Sequence, residues 1–450
     1  MDINQTTIVA LSTPTGYGAI GVIRLSGPES LNIAASFLKR PQQFKHKQVR
    51  FCKLYDHDTH LDDVLMTYFS APRSFTGEDM VEISSHGSPY IIERVLEICI
   101  DHGATLAEPG EFTKRAYLND KFDLAQAEGV DAIIHAKTKQ AHETAKNLLN
   151  GNLGQKIRKI KNSIIDIIIL LELELDFSDQ EIEFTQHSVI FDKLSIIQNE
   201  ILNLINSYHY GKMIKEGVKT VLIGSPNSGK SSLMNAFLNE ERVIVSEIPG
   251  TTRDSIEESI RCGGYQFRLI DTAGIRDSVD EIENLGIERS LKALENSDIK
   301  LLLFDPANDN KSQFLKYLDK QTIVVVNKID LYEPKFLNQT YEMFSDFQHI
   351  GISAKYHQNI HQLADLMVDI IKNKEPKNSD LFISIHRHLQ ALEKTAKELQ
   401  NTLDSIHSGN PSELIVTDLR FALNSLDEIL GKTTDDDILN KIFKNFCIGK

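Results

Sequence analysis

The sequence predicts a chain of the α/β and α classes: a mixed α/β N-terminal domain, a helical domain, and a doubly wound parallel sheet inserted into the helical domain. Three observations carry this. Strand and turn signals alternate over the first ~120 residues, helical periodicity takes over afterwards, and a strand–helix rhythm then interrupts the helical stretch. At 450 residues the chain is too long for one core, and about three domains is the prior.

In the first domain, residues 1–119, Ile8-Val9-Ala10-Leu11 and Ala19 to Leu25 read as strands around a Pro14-Thr15-Gly16-Tyr17-Gly18 loop. Met80 to Ser84 reads as a further strand and Pro89 to His102 as a helix, followed by a turn at Glu108-Pro109-Gly110. From about Leu124, apolar residues recur at three- and four-residue spacing over Ala125 to Leu149, Ile157 to Asp176 and Phe191 to Met213. Gly151-Asn152-Leu153-Gly154 predicts a bend between two of these helices. They form the first helical part, residues 120–215.

Residues 216–374 hold short apolar strands alternating with helices: Thr220 to Ile223, Phe267 to Asp271, Lys300 to Phe304, Thr322 to Val326 and His349 to Ser353. Helical spacing then returns over Leu381 to His407, Pro411 to Leu430 and Asp435 to Phe446, giving a second helical part, residues 375–450.

Composition excludes several classes. Hydrophobic residues at 41% and charged residues at 25% are ordinary for a soluble globular chain. The formal charge of −15 gives no global attraction for phosphate backbones, so a nucleic-acid partner requires a local basic surface. The four cysteines, Cys52, Cys99, Cys262 and Cys447, lack the close pairing of a disulfide framework or zinc knuckle. The start, Met1-Asp2-Ile3-Asn4-Gln5, has no secretory pattern, and the apolar run Ile164 to Leu175 is interrupted by Asp166, Glu172 and Glu174. A cytoplasmic protein without a membrane span is expected.

Three motifs inside the α/β insertion carry chemistry. Gly224-Ser225-Pro226-Asn227-Ser228-Gly229-Lys230-Ser231, followed by Ser232, has the form of a phosphate loop. Its glycines let backbone N–H groups cradle phosphates, Lys230 reaches the β- and γ-phosphates, and Ser231 places a hydroxyl on Mg²⁺. Asp271-Thr272-Ala273-Gly274 ends an apolar strand, as suits a carboxylate acting on Mg²⁺ through water and a glycine that senses the γ-phosphate.

Asn327-Lys328-Ile329-Asp330 reads guanine: Asp330 accepts from N1–H and the 2-amino group, and adenine offers neither donor. Ser353 and Ala354, at the end of the last strand, are placed to add backbone contacts to the base. The three boxes in one register imply a Ras-like P-loop GTPase domain that binds GTP and Mg²⁺.

Hydrolysis departs from the Ras pattern. The residue after Gly274 is Ile275, which cannot orient water. Asp277, Asp280, Glu281 and Glu283 follow, and most of these suit a solvated helix start. Gly250-Thr251-Thr252-Arg253-Asp254 is the switch candidate; Arg253 and Arg276 are finger candidates by position, each equally suited to a surface ion pair.

Beyond this domain the chain resembles the MnmE (TrmE) family of bacterial tRNA-modification GTPases over essentially its whole length. The marks are Thr13-Pro14-x-Gly16 with Gly21-Val22-Ile23-Arg24-Leu25-Ser26-Gly27, Ser74-Phe75-Thr76-Gly77-Glu78-Asp79, and Pro109-Gly110-Glu111-Phe112-Thr113-x-Arg115-Ala116. Asn119-x-Lys121-x-Asp123-Leu124-x-Gln126-Ala127-Glu128 and the ending Cys447-Ile448-Gly449-Lys450 complete them. Taken alone, each is a turn with a helix cap and names no ligand.

The resemblance implies an N-terminal domain that dimerises and binds a tetrahydrofolate derivative (5-formyl or 5,10-methylene), at Arg24, Glu82, Lys121 and Lys450. It implies K⁺ held by Asn227, Ser246, Ile248 and Thr251, Mg²⁺ by Ser231 and Thr252, and Glu283 as the catalytic glutamate beside Lys230 and Asp271. Pro249 departs from the family's potassium loop and fixes φ there. The implied partner is MnmG, an FAD protein, in a heterotetramer that adds a (carboxymethyl)aminomethyl group to C5 of the wobble uridine of tRNA.

Cys447 has three readings. Its place near the end superficially resembles a prenylation box, which Gly449 and Lys450 fit badly. A thiol beside Lys444 and Lys450 on a mobile tail gains nucleophilicity, and the resemblance gives it a nucleophilic or substrate-positioning role. It is otherwise a packed small hydrophobe. A ribosome-assembly GTPase is the rival function, with an equivalent set of boxes but usually a basic RNA-binding flank. A scaffold with a degenerate GTPase is disfavoured by the intact Lys230, Asp271 and Asp330.

Overall fold

The computed structural model describes residues 6–40, 43–176, 187–238, 240, 244–245, 257–271, 293–377, 381–433 and 435–450. Two compact units divide the chain, one of residues 1–134, 146–194 and 397–450, the other of residues 135–145 and 195–396. Both segments of the second unit thus lie between segments of the first.

The first unit opens with a six-stranded sheet ordered β3-β4-β5-β2-β1-β6. The strands are β1 (Ile8–Leu11), β2 (Gly18–Ser26), β3 (Val49–Asp56), β4 (Thr59–Phe69), β5 (Met80–Gly87) and β6 (Thr105–Leu106). All neighbours are antiparallel except β1 and β6. Alternate residues Ile23, Leu25, Val81 and Ile83 enter a core completed by α1 (Ser30–Ser36) and α2 (Pro89–Asp101). Arg24 therefore falls on the other face, where register places Ala10 on one side and Glu82 on the other.

Sequence reading assigns no strand to the β3–β4 hairpin. Its turn lacks glycine and proline: His57 itself takes the left-handed φ of 52°, a place where glycine is the usual signal.

Next come α3 (Glu111–Leu118), α4 (Leu124–His135), α5 (Lys139–Leu149), α6 (Asn152–Asp176) and α7 (His187–Glu216). The predicted single helix from Ala125 to Leu149 is two helices. Thr138 ends the first pattern and starts the next, its Oγ1 accepting from the Ala141 amide at 3.2 Å. The predicted bend is at Gly151, with φ 79°, whereas Gly154 lies inside α6.

After the insertion, α11 (His386–His407), α12 (Ser412–Leu430) and α13 (Asp436–Phe443) return. The onset predicted at Leu381 is five residues early. Lys161 pairs with Asp427, and Arg420 with Glu172 at 2.6 Å, so α6 and α12 from opposite sides of the insertion lie together.

In the second unit the sheet runs β13-β12-β11-β7-β10-β9-β8. The parallel strands are β7 (Val218–Ile223), β10 (Tyr265–Asp271), β11 (Ile299–Phe304), β12 (Thr322–Val326) and β13 (Gln348–Gly351). β9 (Glu257–Cys262) and β8 (Ile244–Val245) add an antiparallel edge.

Successive residues face opposite cores: Leu301, Leu303, Ile323 and Val325 enter one, and Leu302, Phe304, Val324 and Val326 the other. Helices cover both faces, which is why these strands read as unbroken apolar runs. The unit also has α8 (Lys230–Leu238), α9 (Pro334–Met343) and α10 (Ile360–Asn373). Tyr210, Met213 and Ile214 of α7 join the first of these cores.

Candidate functional site: a phosphate loop, a base box and a docked C-terminus

At the C-terminal edge of the parallel sheet, β7 runs into the 224–230 loop and α8 continues from it. Asn227 adopts φ 64° and Gly229 φ 99°. A Cβ on Gly229 would lie 2.2 Å from the Asn327 side-chain nitrogen. The missing side chain is what lets that amide donate to the Ser228 carbonyl at 2.8 Å.

Asn327, 2% exposed, also accepts from the Ala354 amide at 3.1 Å. One side chain thereby joins the phosphate loop, the base box and the segment after β13. Asp330 accepts from the Ser353 hydroxyl at 2.5 Å, which leaves its second oxygen outside that bond. The boxes line one cavity of about 530 Å³, with Asn227, Lys230, Asn327, Asp330 and Ser353 in its wall.

One feature fits a phosphate-bearing ligand. The Lys230 ammonium, buried at the loop, donates to the carbonyls of Gly224 at 2.9 Å and Ser225 at 3.0 Å. The Ser228 hydroxyl is buried without a hydrogen-bond partner among the described residues, and such a group costs free energy until something supplies one. Ser231 and Ser232 are exposed in the first turn of α8. Asp271 ends β10 and pairs in register with Leu222 of β7, which brings it to the same sheet edge. Ser246, Ile248, Thr251, Thr252, Thr272, Ala273, Gly274 and Glu283 lie outside the described residues.

Sequence reading passes over Asp305, directly after β11. It is 2% exposed and accepts from Lys328 Nζ at 2.7 Å, Asn308 Nδ2 at 2.9 Å and the Tyr332 hydroxyl at 2.5 Å. Burial opposes its charge, yet the bonds from Lys328, Tyr332 and Asn308 outweigh it and bring the carboxyl down to about 2. Burial, then the same carboxylate, pushes the Tyr332 phenol up to about 12. The available signal was an aspartate closing an apolar strand, the same pattern that singles out Asp271.

In the first unit, Arg24 Nε meets Glu82 Oε1 at 2.7 Å, both side chains about a quarter exposed (25% and 27%). The C-terminal segment comes to this pair. Gly449 O accepts from Ser12 Oγ at 3.0 Å and lies 3.5 Å from Arg24 Nη1. Cys447 O accepts from the Gly110 amide at 3.3 Å, and Phe446 packs with Leu124, Leu439 and Phe443.

The tail expected to be mobile is therefore docked. Gly449 permits the docking: its φ is 81° and a Cβ would lie 2.3 Å from Leu11 O. Cys447 is half-buried and not in a disulfide. Of the four proposed folate residues, Arg24, Glu82 and the segment ending in Lys450 converge, whereas Lys121 donates to the Pro72 carbonyl at 3.0 Å.

Other motif residues turn out to be structural. Arg115, 1% exposed, meets Glu78 at 3.2 Å and Glu111 at 2.9 Å, and donates to Thr6 O at 2.7 Å. Glu78 also accepts from Ser26 Oγ at 2.7 Å. This buried cluster accounts for much of the Gly77-Glu78 and Glu111-to-Arg115 pattern.

Against known proteins, residues 124–447 match a family model described as the MnmE helical domain, and residues 7–121 one described as the GTP-binding protein TrmE N-terminus. A tRNA modification GTPase MnmE of Cytophaga hutchinsonii is 40% identical, covering 99% of this chain and 98% of its own. That of Natranaerobius thermophilus is 37% identical, with 100% of both chains covered, and that of Aquifex aeolicus 38%, with 98% and 99% covered. Among solved structures, the G domain of the T. maritima FeoB iron transporter covers 34% of this chain and 98% of its own, at 24% identity and a TM-score of 0.26. Among the described residues no helix is long and apolar enough to cross a membrane.

Proposed function

The chain belongs to the MnmE family of tRNA modification GTPases, and from that premise we propose that it hydrolyses GTP, with K⁺ stimulation, to drive a one-carbon-dependent modification at C5 of the wobble uridine of tRNA. The observation that carries the modification half is the convergence of the C-terminal segment on Arg24 and Glu82. A carboxylate such as Glu82 suits the N–H donors of a folate ring, and the basic residues of this reading suit its anionic glutamate tail. Cys447, two residues before Gly449 in the same segment, is the nucleophilic or substrate-positioning group of this reading. Lys121 belongs to the folate reading on resemblance alone.

For the nucleotide, the Lys230 ammonium in the cavity wall and the left-handed backbone at Gly229 (φ 99°) fit bound phosphates. Lys230 offsets their charge, Asp330 accepts the guanine donors, and Ser353 and Ala354 hold the base box in place. Ser231 and Thr252 would hold Mg²⁺, which supplies charge neutralisation at the phosphates, with Asp271 acting through water. Asn227, Ser246, Ile248 and Thr251 would hold K⁺, and Glu283 would act on the attacking water in place of the glutamine that Ile275 replaces.

An FAD-binding partner of the MnmG type would supply redox chemistry, and two copies of this chain would associate through their N-terminal domains. The acidic net charge of −15 fits a partner that supplies much of the tRNA surface. The protein would act in the cytoplasm.

Mass spectrometry of tRNA nucleosides from a deletion strain tests the reading. Loss of the C5 modification, restored by the intact gene, is expected. Unchanged wobble uridine in the deletion strain would reject it and favour a ribosome-assembly switch. Equal GTP turnover in KCl and NaCl would remove the potassium assignment alone.

A further inference from the structure

Asp305 and Asp309 flank one short turn and bond to the base box and to the phosphate loop, respectively. Asp305 takes Lys328 of the base box at 2.7 Å, with Asn308 and Tyr332 on its other positions. Asp309 accepts the hydroxyl of Ser225, in the phosphate loop, through Oδ1, and the Asp305 amide through Oδ2 at 2.7 Å. The turn is closed by Asn308 and Asp309 amides donating to Asp305 O at 3.1 and 2.9 Å. The path from Lys328 to Ser225 is therefore continuous.

Two physical points make this more than a surface turn. Lys328 sits at φ 63°, a conformation that a residue with a Cβ adopts at a cost, held where its surroundings fix it. The Asp305 carboxylate, 2% exposed, is expensive to desolvate, and apolar residues often replace such a pair without loss of stability. A charged pair here makes sense if it serves geometry.

We propose that residues 305–309 are a strut that sets the spacing between the guanine box and the phosphate loop, Asp305 positioning Lys328 and Asp309 positioning Ser225. This rests on the reading of the cavity as the GTP site. Neither aspartate is in the wall of the cavity; both are positioning residues. The division of labour has a consequence that general destabilisation lacks. Loss of Asp305 weakens every ligand that carries guanine, and loss of Asp309 weakens only those that carry phosphate.

The test uses the full chain with Asp305→Asn and Asp309→Asn, comparing GDP with guanosine by displacement of a fluorescent guanine nucleotide. Asp309→Asn should bind GDP about tenfold more weakly, as expected for one charge-assisted hydrogen bond, and guanosine as wild type does. Asp305→Asn should weaken both by about tenfold.

Wild-type affinities in both variants overturn the proposal, as does an equal loss for both ligands in Asp309→Asn. If Asp305→Asn does not fold, the GDP-to-guanosine ratio of Asp309→Asn decides alone. A wild-type chain that binds no GDP rejects the site reading itself and the strut with it, an outcome distinct from failure of the strut in a chain that binds.

Discussion

Arg115 shows how much a single side chain organises. With 1% of its side chain exposed, it faces Glu78 and Glu111, and its removal leaves carboxylates in a site closed to most water. Arg115→Met should destabilise the N-terminal unit by about 3–5 kcal/mol, read as a lower urea midpoint in the transition of that unit. A loss under ~1 kcal/mol, the range of exposed pairs, would show that the cluster is solvated.

Asp305 gives the corresponding pH prediction. Its carboxyl is held at about 2 in the folded chain, below the ordinary carboxylate value. Its contribution to stability is complete above that ordinary value and is lost as pH falls through about 2. Between about pH 4 and pH 2, wild type should therefore lose more stability than Asp305→Asn in urea titrations of the GTPase unit.

Among the elements, the C-terminal segment is the most informative. Gly449 combines a φ of 81° with a Cβ position 2.3 Å from Leu11 O, so alanine must displace the backbone. Gly449→Ala should undock the tail and raise the labelling rate of Cys447 by about tenfold, the equivalent of ~1.4 kcal/mol of local strain. Cys52, Cys99 and Cys262 are buried, so fast thiol modification reports on Cys447. An unchanged rate would mean that the docked form does not protect the thiol.

Elements were legible where periodicity is pure. Strands β7, β11 and β12 stand out because both faces are buried, and the phosphate loop stands out because its glycines are backbone requirements. The β3–β4 hairpin was illegible because His57 occupies the left-handed turn position. The break before α5 was illegible because Thr138, an ordinary capping residue, interrupts no apolar spacing.

Site residues divide in the same way. Lys230 and Asp330 carry their role in local spacing, whereas the meeting of Arg24, Glu82 and Gly449 is a tertiary fact with no local mark. Asp305 was hidden for another reason: its partners Lys328 and Tyr332 come more than twenty residues later in the chain.

At the scale of the molecule, the two candidate centres are assembled by different compact units and share no residue. Sites without shared partners are expected to be nearly additive. Arg24→Ala should leave the GDP dissociation constant within about twofold of wild type while abolishing the proposed folate binding, both read by titration of the full chain. A large change in GDP affinity would reveal coupling already present in the unliganded chain.

The contact between Ser12 and Gly449 closes across 437 positions of sequence. Chain closure of that length adds only about 0.6 kcal/mol per doubling, so the contact is thermodynamically cheap but comes late in time. During synthesis the first strands leave the ribosome long before their last partner has been translated. The sheet that carries Arg24 must persist through that interval with its tail-binding face uncovered, and the candidate centre matures only when Gly449 arrives.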